Sequence, residues 1–284
     1  MWRFAILVGV LAGCEWGGGP DFTGNVVIPD AKKVNADARR ADASIDAPPD
    51  APAIAATGHL LLTEVALAGA GAEFIEIANP TAASIDLSHY YLSDNGDYWK
   101  LPAGVPTVSQ GDFIAQFPAA STIAAGAVIT IATGTAAAFN TAYGANPTYS
   151  IADATLTITT SAGTPSLTDS GELVALFAWD GTSALVKDVD LVLAGSPTPN
   201  NGLVSKSGIT QGSGTYATDA ETIANQPSAP AAGTSTKRIA AETGHETQAG
   251  TGNGITGHDE TSENTAVTWD TTFTAPTPGT IPQL

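Results

Sequence analysis

Three runs decide the fold: His59-Leu60-Leu61-Leu62-Thr63-Glu64-Val65-Ala66-Leu67, Glu73-Phe74-Ile75-Glu76-Ile77-Ala78-Asn79-Pro80 and Ile85-Asp86-Leu87-Ser88-His89-Tyr90-Tyr91-Leu92. Each is short and rich in branched and aromatic residues. Each stops at a turn: Ala68-Gly69-Ala70-Gly71, Asn79-Pro80 and Ser93-Asp94-Asn95-Gly96-Asp97. Strands spaced this closely and punctuated by Gly, Asn, Asp and Pro predict an all-β sandwich. Further strands are expected over 127–132, 156–160, 172–179 and 185–193, and a short helix over 136–140 before Tyr143-Gly144.

Outward from these runs, the chain divides into three parts. Met1-Trp2-Arg3 and an apolar run from Phe4 to Val10 lead to Leu11-Ala12-Gly13-Cys14. The apolar run is too short to span a bilayer, which takes roughly 20 residues, and has the anatomy of a secretory signal peptide. Its end resembles the bacterial lipobox, with Leu11, Ala12 and Gly13 as the peptidase recognition residues. That resemblance implies cleavage after residue 13 and lipidation of Cys14, the only cysteine in the chain. Residues 14–56 form the second part, with Gly17-Gly18-Gly19-Pro20 and repeated Asp-Ala and Pro. Such a composition buries too little apolar surface to offset chain entropy, so a disordered tether is expected. It resembles the spacers of Gram-negative surface lipoproteins. Residues 57–284 are the folded part.

Net charge is −18, from 10 basic and 28 acidic residues. From Thr57 onward, 5 basic face 21 acidic residues, leaving −16. Such a surface repels phosphate backbones, so no nucleic-acid partner is expected. The one cysteine rules out an intrachain disulfide, so the fold must rest on its core; a chain this long can bury one.

The strand motifs resemble the opening of a lamin tail domain: the "TE" strand at Thr63-Glu64, the "EFIEI-N" strand at 73–79, and Asp86-Leu87-Ser88 with Leu92-Ser93-Asp94. Ala136 to Gly144 resembles that family's short helix. Glu172 to Leu176 with Asp180-Gly181 resembles its late hairpin, and Asp188 or Asp190 the Asp that follows. Ser235-Thr236-Lys237-Arg238-Ile239, Trp269 and Pro278-Gly279 resemble its closing strands. The resemblance spans about 57–282 and implies a compact immunoglobulin-like β-sandwich. Residues 145–170 and 194–233 then read as insertions.

In this frame Glu64, Glu73, Glu76, Asn79, Asp86 and Arg238 are expected to be structural. Glu73 and Glu76 are offset by three and face opposite sides of a strand, so one of them is expected to be buried. A buried carboxylate needs a partner, and Arg238, the one arginine after residue 40, is the candidate. Asn79-Pro80 reads as a turn and Asp86 as a turn tie.

Candidate metal ligands fall in three places. Asp94 and Asp97 share an acidic turn, and Asp180 joins Asp188 and Asp190 around a hairpin. Gly244-His245-Glu246 and Gly257-His258-Asp259-Glu260 form a near-repeat. No HExxH helix or EF-hand spacing is present, so no dedicated cofactor is expected, with weak Ca²⁺ binding at the acidic turns as the alternative. Gly252-Asn253-Gly254-Ile255-Thr256-Gly257 formally matches a dinucleotide fingerprint but lacks its strand–helix context. Tyr90, Tyr91, Tyr98 and Trp99 read as core or as a contact patch. The functional expectation is a lipid-anchored envelope protein, on the outer membrane of a Gram-negative bacterium, presenting a non-enzymatic module to a protein or carbohydrate ligand. The alternative is a cation-dependent hydrolase or hydrolase accessory at the cell surface.

Overall fold

The computed structural model describes residues 58–67, 72–169, 171–195, 206–218, 234–242, 252–260, 268–270, 272 and 274–281. The expected signal peptide, Cys14 and tether lie outside the described residues, as does His245. The strands are β1 (Leu61–Ala66), β2 (Phe74–Ala78), β3 (Ile85–Asp86), β4 (Tyr90–Ser93), β5 (Phe113–Gln116), β6 (Thr122–Ile123) and β7 (Val128–Ala132). After helix α1 (Ala136–Tyr143) come β8 (Tyr149–Ser150), β9 (Thr157–Ser161), β10 (Gly171–Ala178), β11 (Lys187–Gly195), β12 (Thr210–Gln211), β13 (Gly214–Thr215) and β14 (Thr236–Lys237). They form two five-stranded sheets, β14-β1-β2-β7-β8 and β11-β10-β4-β5-β9, with small pairs β12-β13 and β3-β6 beside them.

The two large sheets enclose one apolar core. Ile75 and Ile77 of β2 and Ile129 and Ile131 of β7 meet Leu92 of β4, Phe113 of β5, Val174 and Leu176 of β10 and Val192 of β11 there. In β1 the inward residues change parity, from Leu60 and Leu62 to Val65 and Leu67. The cause is a bulge: the β1–β2 register shifts between Leu62 and Glu64. One extra residue on one strand swaps which side chains face inward. It also leaves backbone groups at Leu62 and Thr63 for other partners.

The outer face of the second sheet is buried as well. Leu173, Ala175 and Phe177 of β10 pack with Tyr91, Ile114, Leu191 and Leu193 beneath Tyr98, Trp99, Leu101 and Tyr216. This explains the unbroken apolar run Leu173-Val174-Ala175-Leu176-Phe177: a strand covered on both faces need not alternate. The covering layer is a 3-10 turn (Tyr98–Ala103) and the β12–β13 hairpin. It is pinned by Lys206 Nζ, 2.5 Å from Asp188 Oδ2, and by Tyr98 Oη, which donates to Asp188 Oδ1 at 2.7 Å. Tyr91, Tyr98 and Trp99 are therefore core, and Tyr90 packs half-buried against the inter-sheet core. On the far side of the first sheet, α1 sets Phe139 and Tyr143 edge-on to Phe74, at 5.6 and 5.4 Å between ring centres.

The stretch expected as a first insertion, 145–170, carries β8 and β9, edge strands of the two sheets. The strand expected over 156–160 is β9, which pairs with β5 and sets Ile158 against the core, so this stretch belongs to the sandwich rather than to an insertion.

Phe177 stacks on Tyr91 at 5.2 Å and leans on Tyr98 at 5.0 Å. Phe177→Ala is expected to cost about 3–5 kcal/mol, the range for an aromatic lost from a packed core. A chemical-denaturation curve checks this. A loss under about 1 kcal/mol, the effect of a surface site, would mean that the outer layer does not cover β10.

Candidate functional site

The densest group of ionisable side chains sits where the edge of β1 meets β11 and the later segments. Asp190, in β11, is fully buried. Its Oδ2 accepts from Leu62 N at 2.6 Å, and Arg238 Nη2 donates to both its oxygens at 2.8 Å. Arg238 Nε donates to Leu62 O at 2.8 Å, its backbone N–H donates to Thr63 O at 2.8 Å, and its guanidinium lies 5.2 Å from the Trp269 ring centre. The backbone groups turned aside by the β1 bulge are thus bonded to an ion pair that crosses from one sheet to the other.

Next to this pair, four more side chains converge. His59, just ahead of β1, places Nε2 2.7 Å from Glu242 Oε1 and 3.8 Å from Glu260 Oε1. His258 places Nε2 2.5 Å from the same Glu260 oxygen. The two imidazoles stack, 4.2 Å between centres and 13° from parallel. Exposure is 3% for His59, 6% for Glu242, 1% for His258 and 0% for Glu260. Burial lowers both imidazoles to a pKa of about 4; Arg238 adds to this at His59, where Asp190 opposes it, and His59 adds to it at His258. Imidazole with carboxylate is a donor set that transition-metal ions accept.

The loop carrying His258 is shaped by glycine. A Cβ on Gly254 would lie 2.4 Å from His258 Nε2, and one on Gly252 would lie 2.0 Å from His258 O. The Gly252-to-Gly257 motif is thus a bed for the His258 ring and backbone, not a phosphate cradle. Asp188 bonds both sides of this bed, its N–H to Asn253 O and its carbonyl to Ile255 N.

Of the six candidate metal ligands among the described residues, Asp190 and His258 reach this cluster and the other four do not. Asp97 pairs with Lys100 at 2.7 Å, and Asp188 is held by Lys206 and Tyr98. Asp180, exposed at its turn, accepts from Thr182 N, Ser183 N and Ser183 Oγ. Asp94 accepts from Phe113 N at 2.6 Å, and burial, with Glu172 and Asp112 nearby, raises its pKa well above its usual value. His59, Glu242 and Glu260 were not among the candidates. The Gly-His-Asp-Glu near-repeat pointed at Glu260, whereas nothing local marks His59 or Glu242, which lie 183 residues apart.

The expected structural residues sit as follows. Glu73 and Glu76 are both buried, because the strand is covered on both sides. Arg238 pairs with neither: Asp190 holds it, and hydroxyls and backbone N–H groups serve the glutamates. Thr133 Oγ1 and Leu167 N donate to Glu73, whose pKa burial raises. Thr63 Oγ1 and Gly279 N donate to Glu76. Glu64 faces Glu76 across the β1–β2 ladder and accepts from Ser235 Oγ, Thr277 N and Thr277 Oγ1. Asn79 donates to Ala83 O, Ile123 O and Ala124 O, and accepts from Thr81. Asp86 accepts from Ser88 N and Oγ. Separately, an open groove of about 870 Å³ runs beside the β10–β11 turn, bordered by His89, Trp179, Tyr216 and Asn253.

Burial pushes Glu76 up to about 8, with Gly279 and Thr63 opposing and Glu64 adding; burial likewise pushes Glu172 to about 7. A carboxyl that keeps its proton in the fold stabilises fully below the unfolded pKa, about 4.3 for Glu, and loses that contribution as pH rises through the folded value. The melting temperature should therefore fall between pH 6.5 and 8.5, above the histidine range, and Glu76→Gln should flatten the fall. An identical slope in the variant would show that Glu76 is ionised throughout.

The family comparison matches residues 53–184 to the lamin tail domain. No curated protein matches the chain. Among solved structures, a DUF4876 family protein from Bacteroides thetaiotaomicron is similar, with 15% identity, a TM-score of 0.38, and coverage of 80% of this chain and 72% of that one. The matched segment runs from β1 through β10, so β11, Arg238, Trp269 and the His258 loop lie beyond it, short of the span to 282 that the sequence motifs suggest. Residues 53–184 are thus similar to the lamin tail domain, and the chain folds as an immunoglobulin-like β-sandwich.

Proposed function

We propose that the chain is a lipid-anchored protein of the cell envelope, on the outer membrane of a Gram-negative bacterium, whose β-sandwich is a non-enzymatic interaction or structural module. Leu11-Ala12-Gly13-Cys14 carries the reading: a short apolar leader ends on small residues and the chain's sole cysteine. The Asp/Ala/Pro-rich tether behind it suits presentation away from a membrane, since Pro-rich chain extends at about 3 Å per residue.

The non-enzymatic part is supported by where the reactive groups lie. Asp190, His59, His258 and Glu260 are all buried, out of reach of a substrate in solvent. A hydrolase with a catalytic metal needs an open coordination position, and the closed His–Glu cluster disfavours that alternative. The partner in this reading is a protein or a carbohydrate. A nucleic acid is disfavoured by the net charge of −18.

Expressed in a Gram-negative host, the full chain should partition into detergent and take up labelled palmitate, and Cys14→Ala should abolish both while leaving the melt unchanged. Unlabelled wild-type chain in the aqueous phase would contradict the anchor.

A further inference from the structure

We infer that His59, Glu242, His258 and Glu260 bind one divalent transition-metal ion of the zinc class, which fastens the later segments of the chain to the start of the sandwich.

The convergence comes first. Ligand atoms of His59, His258 and Glu260 all lie within 4.8 Å of one another, and Glu242 and Glu260 meet the same criterion with Asp190. Tetrahedral zinc, at about 2.0–2.1 Å from each ligand, holds its ligand atoms about 3.3 Å apart. The distances here, 2.5, 2.7 and 3.8 Å, bracket that value. Asp190 is engaged by Arg238 and two backbone N–H groups, so it acts as a neighbour and not as a ligand.

The second observation is independent of the clustering. Nε2 of His258 is buried and makes no hydrogen bond, although Glu260 Oε1 is only 2.5 Å away. On the other side of the ring, Nδ1 lies 2.5 Å from Thr256 Oγ1. A ligating histidine characteristically has its second nitrogen held this way, which fixes the ring and points the other lone pair at the metal. A ring nitrogen and a carboxylate oxygen that face each other without a hydrogen bond in a dry site call for positive charge between them, which a metal ion supplies. Gly254 presses on the same ring and sets its position.

Donor chemistry selects the ion. Ca²⁺ and Mg²⁺ take oxygen ligands, whereas imidazole with carboxylate suits zinc and its neighbours. Two carboxylates also match a divalent charge, since Arg238 already offsets Asp190. The four side chains are nearly solvent-free, as in closed structural sites, and a structural ion contributes directly to folding. It would tie residue 59 to residues 242 and 258–260.

The test is metal analysis and melting of the full chain purified without chelator. The expected result is about one zinc per chain, removed by EDTA, with melting raised by on the order of 5–10 °C when Zn²⁺ is restored and unmoved by Ca²⁺. Co²⁺ in its place should give a visible band of tetrahedral nitrogen–oxygen type. His258→Gln and Glu260→Gln should lose the metal. Gly254→Ala, which retains every ligand, should weaken binding at least tenfold. A chain that holds no metal and shows neither a Zn²⁺ shift nor a Co²⁺ band overturns the inference, as does a folded His258→Gln chain that binds zinc as tightly as wild type. The Co²⁺ band on the unaltered chain decides the matter if the variants fail to fold.

Discussion

The buried ion pair between Asp190 and Arg238 is the constraint on which the rest of the architecture depends. A bulge in β1 turns aside the backbone groups of Leu62 and Thr63 at the place where the two sheets come together. Left unpaired in the core, such groups would cost about 1–3 kcal/mol each. Asp190 accepts the Leu62 N–H from one sheet, Arg238 donates to the Leu62 and Thr63 carbonyls from the other, and each side chain neutralises its partner. A buried pair of this kind adds little net stability over a well-packed apolar pair. Its value is positional: it admits one register of β1 against β11 and one docking of the strand that carries Arg238.

That constraint also explains why charge and histidine gather at this seam. With Arg238 committed to Asp190, the glutamates of the first sheet are served mainly by hydroxyls and backbone N–H groups, with Lys237 Nζ 3.8 Å from Glu64. Thr63, Thr133, Ser235, Thr277 and Gly279 supply them. The closing segments of the chain thus bring polar contacts to the fold beside the apolar ones of Ile255, Trp269 and Ile281. Such edges are strengthened by a bound cation, and the His59, Glu242, His258 and Glu260 group lies directly beside the ion pair.

Much of the sandwich is legible in the sequence because its strands announce themselves locally. β2 alternates around Glu73 and Glu76, β10 and β11 are apolar runs with β propensity, and the turns carry Asn79-Pro80 and Asp180-Gly181. What escapes is whatever depends on distant partners. The parity change in β1 has no sequence marker. β9 is visible as a strand, but its pairing with β5 at the edge of the second sheet is not. Arg238 was assignable to a carboxylate but not to the right one, since Asp190 and Glu76 differ only in where the folded chain carries them. The site divides the same way: Gly257-His258-Asp259-Glu260 is visible as a motif, while its completion by His59 and Glu242 is a fact of tertiary closure.

The most direct test of the central constraint is a double-mutant cycle on Asp190→Asn and Arg238→Met, read by denaturant unfolding. Each single change should cost about 3–5 kcal/mol by leaving a buried charge or backbone group uncompensated. The double variant should cost less than the sum, with a coupling of about 2–3 kcal/mol. Additive losses would contradict the account, and would mean that the two sheets are registered by their apolar core alone.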